Sequence, residues 1–521
     1  MSGSVRPSET QVLPRLYDSV VHMFADAAAR APRATALICG DRQLTYEEYL
    51  RCVGGFAAEL VALGAQNGRV ALVCGNSIEI AVAMFAVHAA GAQAVPINPI
   101  YTARELTHIL SDADPAVVIY DAETASVVAP LVAELAIPHG IGVGEGGRLL
   151  DTWGDDRAAA LPEPMPQASD LATLQYTGGT TGLPKGVNIS HGQLAVNISQ
   201  REAVLPTRPD DETVLCVMPL FHVFASSMCL HLAAYCRGRL VILPRYHPDR
   251  VLEAIAQHQV TRLPAGPTIF IGLMGSDGFG AADLTSLRTA YSGSAPLPEE
   301  ALKRWEAATG CPILEGYGQS EAGPVLTYIG EGIAPKPGSV GPPLPQTEIQ
   351  IVDVDTGTRV LATGEVGEIR ARGPQIMSGY RNCPEETAQA LRDGWLYTGD
   401  IGEFDDDGYL YIRDRKKDMV ITGGYNVYPR EIDEVLYTHN DVLEAAAVGV
   451  PDDYRGEIIK AFVALKPGAG ATADDLRAHC EANLAKYKVP ANIEIVPEVA
   501  KTTVGKIDKR ALRRADGEVA R

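Results

Sequence analysis

The sequence predicts an α/β protein built in several parts, and three observations carry that reading. Helix-like and strand-like segments alternate through the first two-thirds of the chain, the pattern of mostly parallel sheets covered by helices. From about residue 348 short alternating strands between Gly/Asp turns take over, and after Asp418 the chain returns to α+β alternation. At 521 residues the chain is also too long for one hydrophobic core, so two to four domains are expected.

Taken in order, a helix over 45–63 opens on Thr45 as N-cap and stops at Gly64. A short buried strand at 70–73 leads into an apolar helix over 78–90, then a strand at 94–97. Residues 103–112 read as helix and 116–120 as strand. After a Gly-rich loop the alternation resumes with a strand at 213–218, one helix running through His231, and a strand at 240–243. The runs at 348–354, 367–372 and 409–413 are short alternating strands and suggest a β-subdomain, placed at about 340–412. Beyond it lie a helix at 429–438, strands at 444–450 and 459–465, and a helix at 473–484. The charged run Arg413-Asp414-Arg415-Lys416-Lys417-Asp418 stands between the two regimes, as a solvated face or as a hinge. Gly142-Val143-Gly144-Glu145-Gly146-Gly147 matches G-x-G-x-x-G, but no amphipathic helix opens there, so it reads as a surface turn and not a dinucleotide loop.

A formal net charge of −20 argues against a nucleic-acid or anionic-membrane surface, which needs clustered Lys and Arg. The apolar run at 78–90 carries Glu79 and His88 and is too short to span a bilayer. The polar first residues contain no signal-peptide core. The nine cysteines show no C-x-x-C spacing and read as thiols of a reducing compartment, so a cytoplasmic location is expected, with no integral membrane segment. Monomer and homodimer both stay open.

Tyr176-Thr177-Gly178-Gly179-Thr180-Thr181-Gly182-Leu183-Pro184-Lys185-Gly186 carries the strongest chemistry. Glycines let the backbone approach a ligand, threonine hydroxyls and free N–H groups present donors to an anion, and lysine adds a charge. The apolar run at 171–176 before it reads as a strand, so the loop leaves a sheet edge where ligands bind. No G-x-x-x-x-G-K-[ST] match is present, which separates it from the loops that handle γ-phosphate transfer.

Further segments accompany this loop in fixed order. They are Pro219-Leu-Phe-His222-Val-Phe, Tyr291-Ser-Gly-Ser-Ala-Pro-Leu297, Gly316-Tyr-Gly-Gln-Ser-Glu321, Tyr397-Thr-Gly-Asp400, the 413–429 stretch ending Gly423-Gly-Tyr-Asn-Val-Tyr-Pro429, and Lys501-Thr-Thr-Val-Gly-Lys506. Together they resemble the adenylate-forming superfamily of acyl-CoA synthetases, luciferases and peptide-synthetase adenylation domains. The wording from Gly316 onward is most similar to 4-coumarate and fatty acid–CoA ligases. The resemblance implies a large N-terminal domain (1–416) of two αβ-layered subdomains plus the β-subdomain. It also implies a small mobile α+β C-terminal domain (417–521) hinged at Lys417.

The resemblance further implies activation of a carboxylate by ATP as acyl-AMP with loss of pyrophosphate, then displacement of AMP by CoA, with Mg²⁺ as the metal. It assigns Thr177, Gly178, Gly179, Thr180, Thr181, Gly182 and Lys185 to the β- and γ-phosphates. Thr177 and Glu321 go to Mg²⁺ and Ser320 to the α-phosphate. Gly293, Ser294, Ala295, Glu315, Gly316 and Tyr317 form the adenine slot, with Tyr317 stacked on the base, and Gly318 is counted among the nucleotide-binding residues. Asp400 takes the ribose hydroxyls, with Arg415 behind it and Ile412 alongside. Lys506 bridges the attacking carboxylate and the α-phosphate, although Ala500 replaces the usual proline before its loop. Gly423, Gly424 and Tyr425 line the pantetheine tunnel. His222 is read either as a capping or core histidine or as a gate between acyl pocket and tunnel.

The acyl pocket is expected from His222, Val223, Ser227, Tyr291, Gly316 and Val325, apolar or small and without charge. That favours an uncharged monocarboxylic acid, aliphatic or aryl. Alternatives are a stand-alone adenylation enzyme loading a carrier protein, or a luciferase-like oxygenase. A carrier-loading enzyme usually bears an appended carrier domain, and none is expected here beyond Arg521.

Overall fold

A computed structural model describes residues 4–5, 12–154, 160–177, 184–293, 295, 297–422, 425–452, 455–502 and 505–515. Two mostly parallel sheets form the bulk of the N-terminal part. In the first, of eight described strands, Ile313–Gly318, Thr289–Ser292, Arg262–Ala265, Thr213–Cys216, Arg239–Ile242 and Thr35–Cys39 run parallel. Val325–Tyr328 and Arg42–Thr45 close its edges antiparallel. The second places Leu171–Thr177, Gln93–Pro96, Arg69–Val73, Val117–Asp121 and His139–Val143 side by side in parallel. Lys185–Ser190 returns antiparallel to Leu171–Thr177, so the Gly-rich stretch is the connection between these two strands. Among the described residues of 142–147, Gly144 and Gly146 adopt φ of 77° and 80° in a turn, and the next helix is the four-residue Asp151–Gly154. No dinucleotide loop is built there.

Helix Ile78–Ala89 is buried along its whole length, as expected of a helix apolar all round that lies inside the core. Ser77 caps it, accepting from the Ile80 amide at 3.3 Å. Helix Tyr46–Ala62 starts on a full capping box, Thr45 with Glu48, which satisfies two otherwise unpaired backbone donors. Phe24, Tyr49 and Phe85 pack ring to ring beneath these helices.

The single helix expected through His231 is instead broken. Val223–Ala225 is one α turn, Ser226–His231 widens into a π-helix, and Leu232–Cys236 resumes α geometry. Such π turns release carbonyls from the regular ladder and occur often at functional sites. The β-subdomain holds Glu348–Val352, Gly367–Arg372, Trp395–Phe404 and Leu410–Arg415 in an antiparallel sheet.

The C-terminal part is a five-stranded sheet among the described residues, centred on the long hairpin Val442–Asp452 and Gly456–Leu465. Its two faces carry separate apolar clusters, one under helices Pro429–Tyr437 and Ala473–Asn483, the other under Lys509–Ala515. The charged run before it is not a solvated face. Asp414 and Asp418 are buried, Asp418 pairs with Arg513 at 2.9 Å, and Asp414 accepts from the Arg430 amide at 3.0 Å.

Candidate active site

Several of the predicted residues stand at the carboxyl ends of the parallel strands, where open α/β sheets bind ligands. Strand Leu171–Thr177 delivers Thr177, whose Oγ1 donates to the Lys185 carbonyl at 3.4 Å. The Lys185 ammonium lies 4.6 Å from the centre of the Tyr380 ring. The same Tyr380 hydroxyl donates to Glu321 Oε1 at 2.8 Å. Glu321 sits in the tight turn Ser320–Ala322, and its Oε2 has no protein partner among the described residues. Tyr380 was not legible as a site residue, because only the pairing of Gly379–Tyr380 with Lys185–Ser190 brings it here.

Strands Thr289–Ser292 and Ile313–Gly318 lead into Gly293, Ala295 and Glu315–Gly318. A Cβ on Gly293 would lie 2.8 Å from the Phe224 ring, and one on Gly316 would lie 2.4 Å from Tyr328. At Gly318 it would meet the Pro324 carbonyl at 1.9 Å, backbone that cannot give way. Backbone packing therefore demands glycine at Gly318, while a side chain at Gly293 or Gly316 would have to displace a neighbouring ring. Glu315 is buried, and desolvation pushes its carboxyl up to about 7. Tyr317 donates its hydroxyl to Asp400 Oδ2 at 2.6 Å, and Arg415 Nε lies 3.2 Å from Asp400 Oδ1. Burial raises the Asp400 carboxyl and the Arg415 charge opposes that rise. Ile412 lies on the last strand of the β-subdomain, with its carbonyl accepting from Arg430 Nη1 at 2.7 Å.

Lys506 comes near the Asp400–Arg415 pair from the C-terminal part. Its loop is closed by Thr502 N–H to the Lys506 carbonyl at 2.6 Å and by Asp508 N–H to the Ala500 carbonyl at 2.8 Å, a bond made without a proline at 500. Gly505 has φ 76°, and a Cβ there would come 3.1 Å from Thr268 Oγ1. The loop thus presses on helix Pro267–Met274, another contact the sequence does not announce. Burial and the neighbouring Arg415 charge bring the Lys506 amine down to about 8. Burial and the Lys506 charge in turn hold the His222 ring at about 3, neutral at any working pH. His222 Nδ1 also accepts from the Phe224 amide at 3.2 Å and caps the turn Val223–Ala225. Gln175 supports the same loop, donating from Nε2 to the Phe221 carbonyl at 3.2 Å.

Val223, Ser227, Tyr291 and Val325 are all buried. Tyr291 and Val325 share an apolar cluster with Met228, Leu314 and Tyr328, against which Phe224 packs. Arg201 of helix His191–Val204 is buried beside this cluster, against Ser227 and Met228. Sequence position hid it, since that helix carries many polar residues and nearly all of them are inside.

Lys417 falls in the turn between Leu410–Arg415 and Val420–Thr422, and partial desolvation of its ammonium with the Arg415 charge brings the amine down to about 8. Tyr425 is exposed and stacks on Tyr487 at 4.6 Å. Gly178, Gly179, Thr180, Thr181, Gly182, Ser294, Gly423 and Gly424 lie outside the described residues.

Comparison with known proteins agrees with this constellation. Residues 24–381 match the family described as AMP-binding enzyme, and residues 431–506 match its C-terminal domain. The chain belongs to the AMP-binding enzyme family. Among curated relatives, this AMP-binding enzyme is 38% identical to a long-chain-fatty-acid–CoA ligase of Bacillus subtilis, covering 97% of this chain and 96% of the relative. It is 37% identical to a feruloyl-CoA synthase of an Amycolatopsis species, covering 94% and 97%. Among solved structures it resembles the anthranilate CoA ligase AuaEII in complex with anthranoyl-AMP, with a TM-score of 0.90, 29% identity and coverage of 98% and 99%. ATP-bound MatB from Rhodopseudomonas palustris gives a TM-score of 0.88 at 32% identity, covering 96% and 100%. No helix among the described residues is long and apolar enough to cross a membrane.

Proposed function

We propose that this AMP-binding enzyme is an ATP-dependent acid–CoA ligase acting on a monocarboxylic acid. The observation that carries the reading is the meeting, across two domains, of the Lys506 amine with the Asp400–Arg415 pair and His222. A carboxylate is a poor acyl donor until one oxygen becomes a good leaving group. Its oxygen attacks the α-phosphorus of ATP, pyrophosphate departs, and the thiolate of CoA then takes the acyl carbon while AMP leaves with the carboxylate oxygen.

Two anions meet in the first step, so preorganised positive charge contributes most. The Lys506 ammonium holds the carboxylate and α-phosphate together, while Thr177, Lys185 and the 178–182 loop hold the departing pyrophosphate. Ser320 steadies the α-phosphate, and Asp400 accepts from the ribose with Arg415 fixing its orientation. Gly293, Ala295 and Glu315–Gly318 supply the adenine walls. No cluster of three or more His, Cys, Asp or Glu suited to a metal occurs among the described residues. A single open carboxylate oxygen on Glu321 nevertheless suits Mg²⁺, which takes one or two carboxylates and shares substrate phosphates. When bound with Glu321 and Thr177, that ion would neutralise phosphate charge.

The domain division lies at Lys417, with 1–416 and 417–521 as units. Rotation there carries Lys506 out and the 423–425 stretch in, with Gly423 and Gly424 beside the thiol arm and His222 as the gate between pocket and tunnel. Nine free cysteines fit a reducing cytoplasm. Incubating the enzyme with ATP, CoA and a panel of aliphatic and aryl acids tests the reading. AMP, pyrophosphate and acyl-CoA appear in equal amounts if it is right, whereas ADP and phosphate overturn it.

A further inference from the structure

Lys185 and Glu321 bring opposite charges to one aromatic ring. Tyr380 donates its hydroxyl to Glu321 Oε1 at 2.8 Å, and the Lys185 ammonium lies 4.6 Å from the centre of the same ring. No ion pair joins Lys185 to Glu321. A lysine and a glutamate within reach of one ring attract each other, and a direct pair would neutralise both before any ligand arrived. The ring gives each charge a separate partner. Its face attracts the ammonium, and its hydroxyl fixes one carboxylate oxygen while the other stays open.

The segment that carries Tyr380 is fastened on both sides of this gap. Met377 N donates to the Glu321 carbonyl at 2.8 Å, so the glutamate is held through its backbone as well as its side chain. On the lysine side, Gly379 and Tyr380 pair antiparallel with Asn188 and Val187, and Arg381 N donates to the Gly186 carbonyl at 2.7 Å. Arg381 Nε donates to the Asp112 carbonyl at 2.7 Å, and Asn382 Nδ2 donates to Asp112 Oδ1 at 2.9 Å. Asp112 Oδ2 accepts from the Tyr176 hydroxyl at 2.5 Å. Tyr176 and Gly186 are themselves paired in the strands that flank the Gly-rich connection. Both ends of that connection are therefore tied to the segment bearing the ring. Tyr380 N also donates to Thr387 Oγ1 at 2.9 Å, which leaves the tyrosine backbone little freedom to shift.

We propose that Tyr380 is a positioning residue of the triphosphate site. Its ring face carries the Lys185 ammonium, its hydroxyl orients Glu321 toward Mg²⁺, and the ring bars the two charges from pairing with each other. Tyr380 acts through these two partners and not on the reacting atoms. An outer partner that orients a metal-binding carboxylate is worth about 10- to 100-fold in metal affinity. The two halves of the role separate by substitution, because phenylalanine keeps the face and loses the hydroxyl, whereas leucine loses both. The assignment rests on the acid–CoA ligase reading, in which Lys185 and Glu321 serve ATP and its metal.

The test measures ATP binding to the full chain by calorimetry, without acid or CoA so that no thioester forms, first in EDTA and then across a series of MgCl₂ concentrations. Tyr380→Phe raises the Mg²⁺ concentration for half-maximal gain in ATP affinity about tenfold or more and leaves the affinity in EDTA within about twofold. Tyr380→Leu repeats that shift and also weakens ATP binding in EDTA about fivefold, because the ring under Lys185 is gone. A half-maximal Mg²⁺ concentration unmoved in Tyr380→Phe overturns the assignment, as does an equal loss in EDTA and in Mg²⁺, the mark of a general packing defect. Tyr380→Leu matching Tyr380→Phe in EDTA, or wild-type affinity indifferent to Mg²⁺, overturns it too. Tyr380→Phe keeps the ring in place, so it remains informative where thermal melting shows that Tyr380→Leu fails to fold. A wild-type chain that binds no ATP in either condition, or releases no AMP with the acid panel, sinks the ligase reading itself, which keeps the two failures apart.

Discussion

Replacing Lys506 by methionine separates the two half-reactions. In this arrangement burial beside Arg415 brings the amine from its ordinary 10.5 to about 8, a penalty of ~3 kcal/mol on the ammonium at about 1.4 kcal/mol per tenfold. The incoming carboxylate and triphosphate reverse that penalty, so the charge is felt most where both anions are present. Loss of one preorganised group of this kind removes about 2.7–4 kcal/mol of transition-state stabilisation. Acid-dependent ATP–pyrophosphate exchange by Lys506→Met therefore falls about 10²- to 10³-fold. Thioester formation from synthetic acyl-AMP and CoA changes only a few-fold, because the proposed rotation takes Lys506 out of the site. The pH profile carries the same signature: kcat/KM for exchange declines as pH rises through about 8, where the free enzyme's amine loses its proton. The alkaline limb is missing from the residual activity of Lys506→Met. Equal losses in exchange and in thioester formation would refute this role for Lys506.

Lys417→Pro tests the proposed pivot: exchange survives within a few-fold while acyl-CoA formation is lost, and a parallel fall in both rules the pivot out. Gly316→Ala and Gly318→Ala differ in severity. The first meets a side chain that can shift and raises KM for the acid about tenfold, whereas the second meets the Pro324 backbone and loses adenylation altogether, read by exchange kinetics and thermal melting. The buried ring cluster of His88, His191 and His231 sets acid sensitivity. Burial lowers His88 to about 4 and His231 to about 3, so on acidification the unfolded chain takes up protons first. The stability is complete above the ordinary value near 6.5 and is lost as pH falls below it, ~2 kcal/mol per histidine at pH 5. His231→Leu shrinks the difference in urea midpoint between pH 7 and pH 5, and an unchanged difference counts against the cluster.

What the sequence made legible was chemistry that demands particular residue types. Gly318, Glu321, Asp400 and Lys506 stand in short motifs because backbone closeness and fixed charge have few substitutes, and of these Asp400 and Lys506 both lie near Arg415. Tyr380, Gln175 and Thr268 escaped notice because each is an ordinary residue made relevant only by sheet pairing or by the docking of the Gly505 loop. The break of the 223–236 helix at Ser226–His231 was also hidden, since a π turn has no compositional mark. Arg201 was invisible for a related reason. Helix His191–Val204 carries polar residues around much of its surface and still packs inside, so periodicity could not say which side met the cluster of Met228 and Tyr291. Strand edges shifted by one to three residues, as at Val442–Asp452, where pairing with Gly456–Leu465 extends the hairpin beyond its apolar run.

The central claim, carboxylate attack at the α-phosphorus, is tested most directly by following oxygen. An acid labelled with ¹⁸O in its carboxylate is turned over with ATP and CoA, and the phosphorus products are analysed by mass spectrometry. One labelled oxygen per turnover in AMP is the predicted result, since AMP departs with the oxygen through which the acid attacked. Label in inorganic phosphate with release of ADP, or unlabelled AMP, would contradict it.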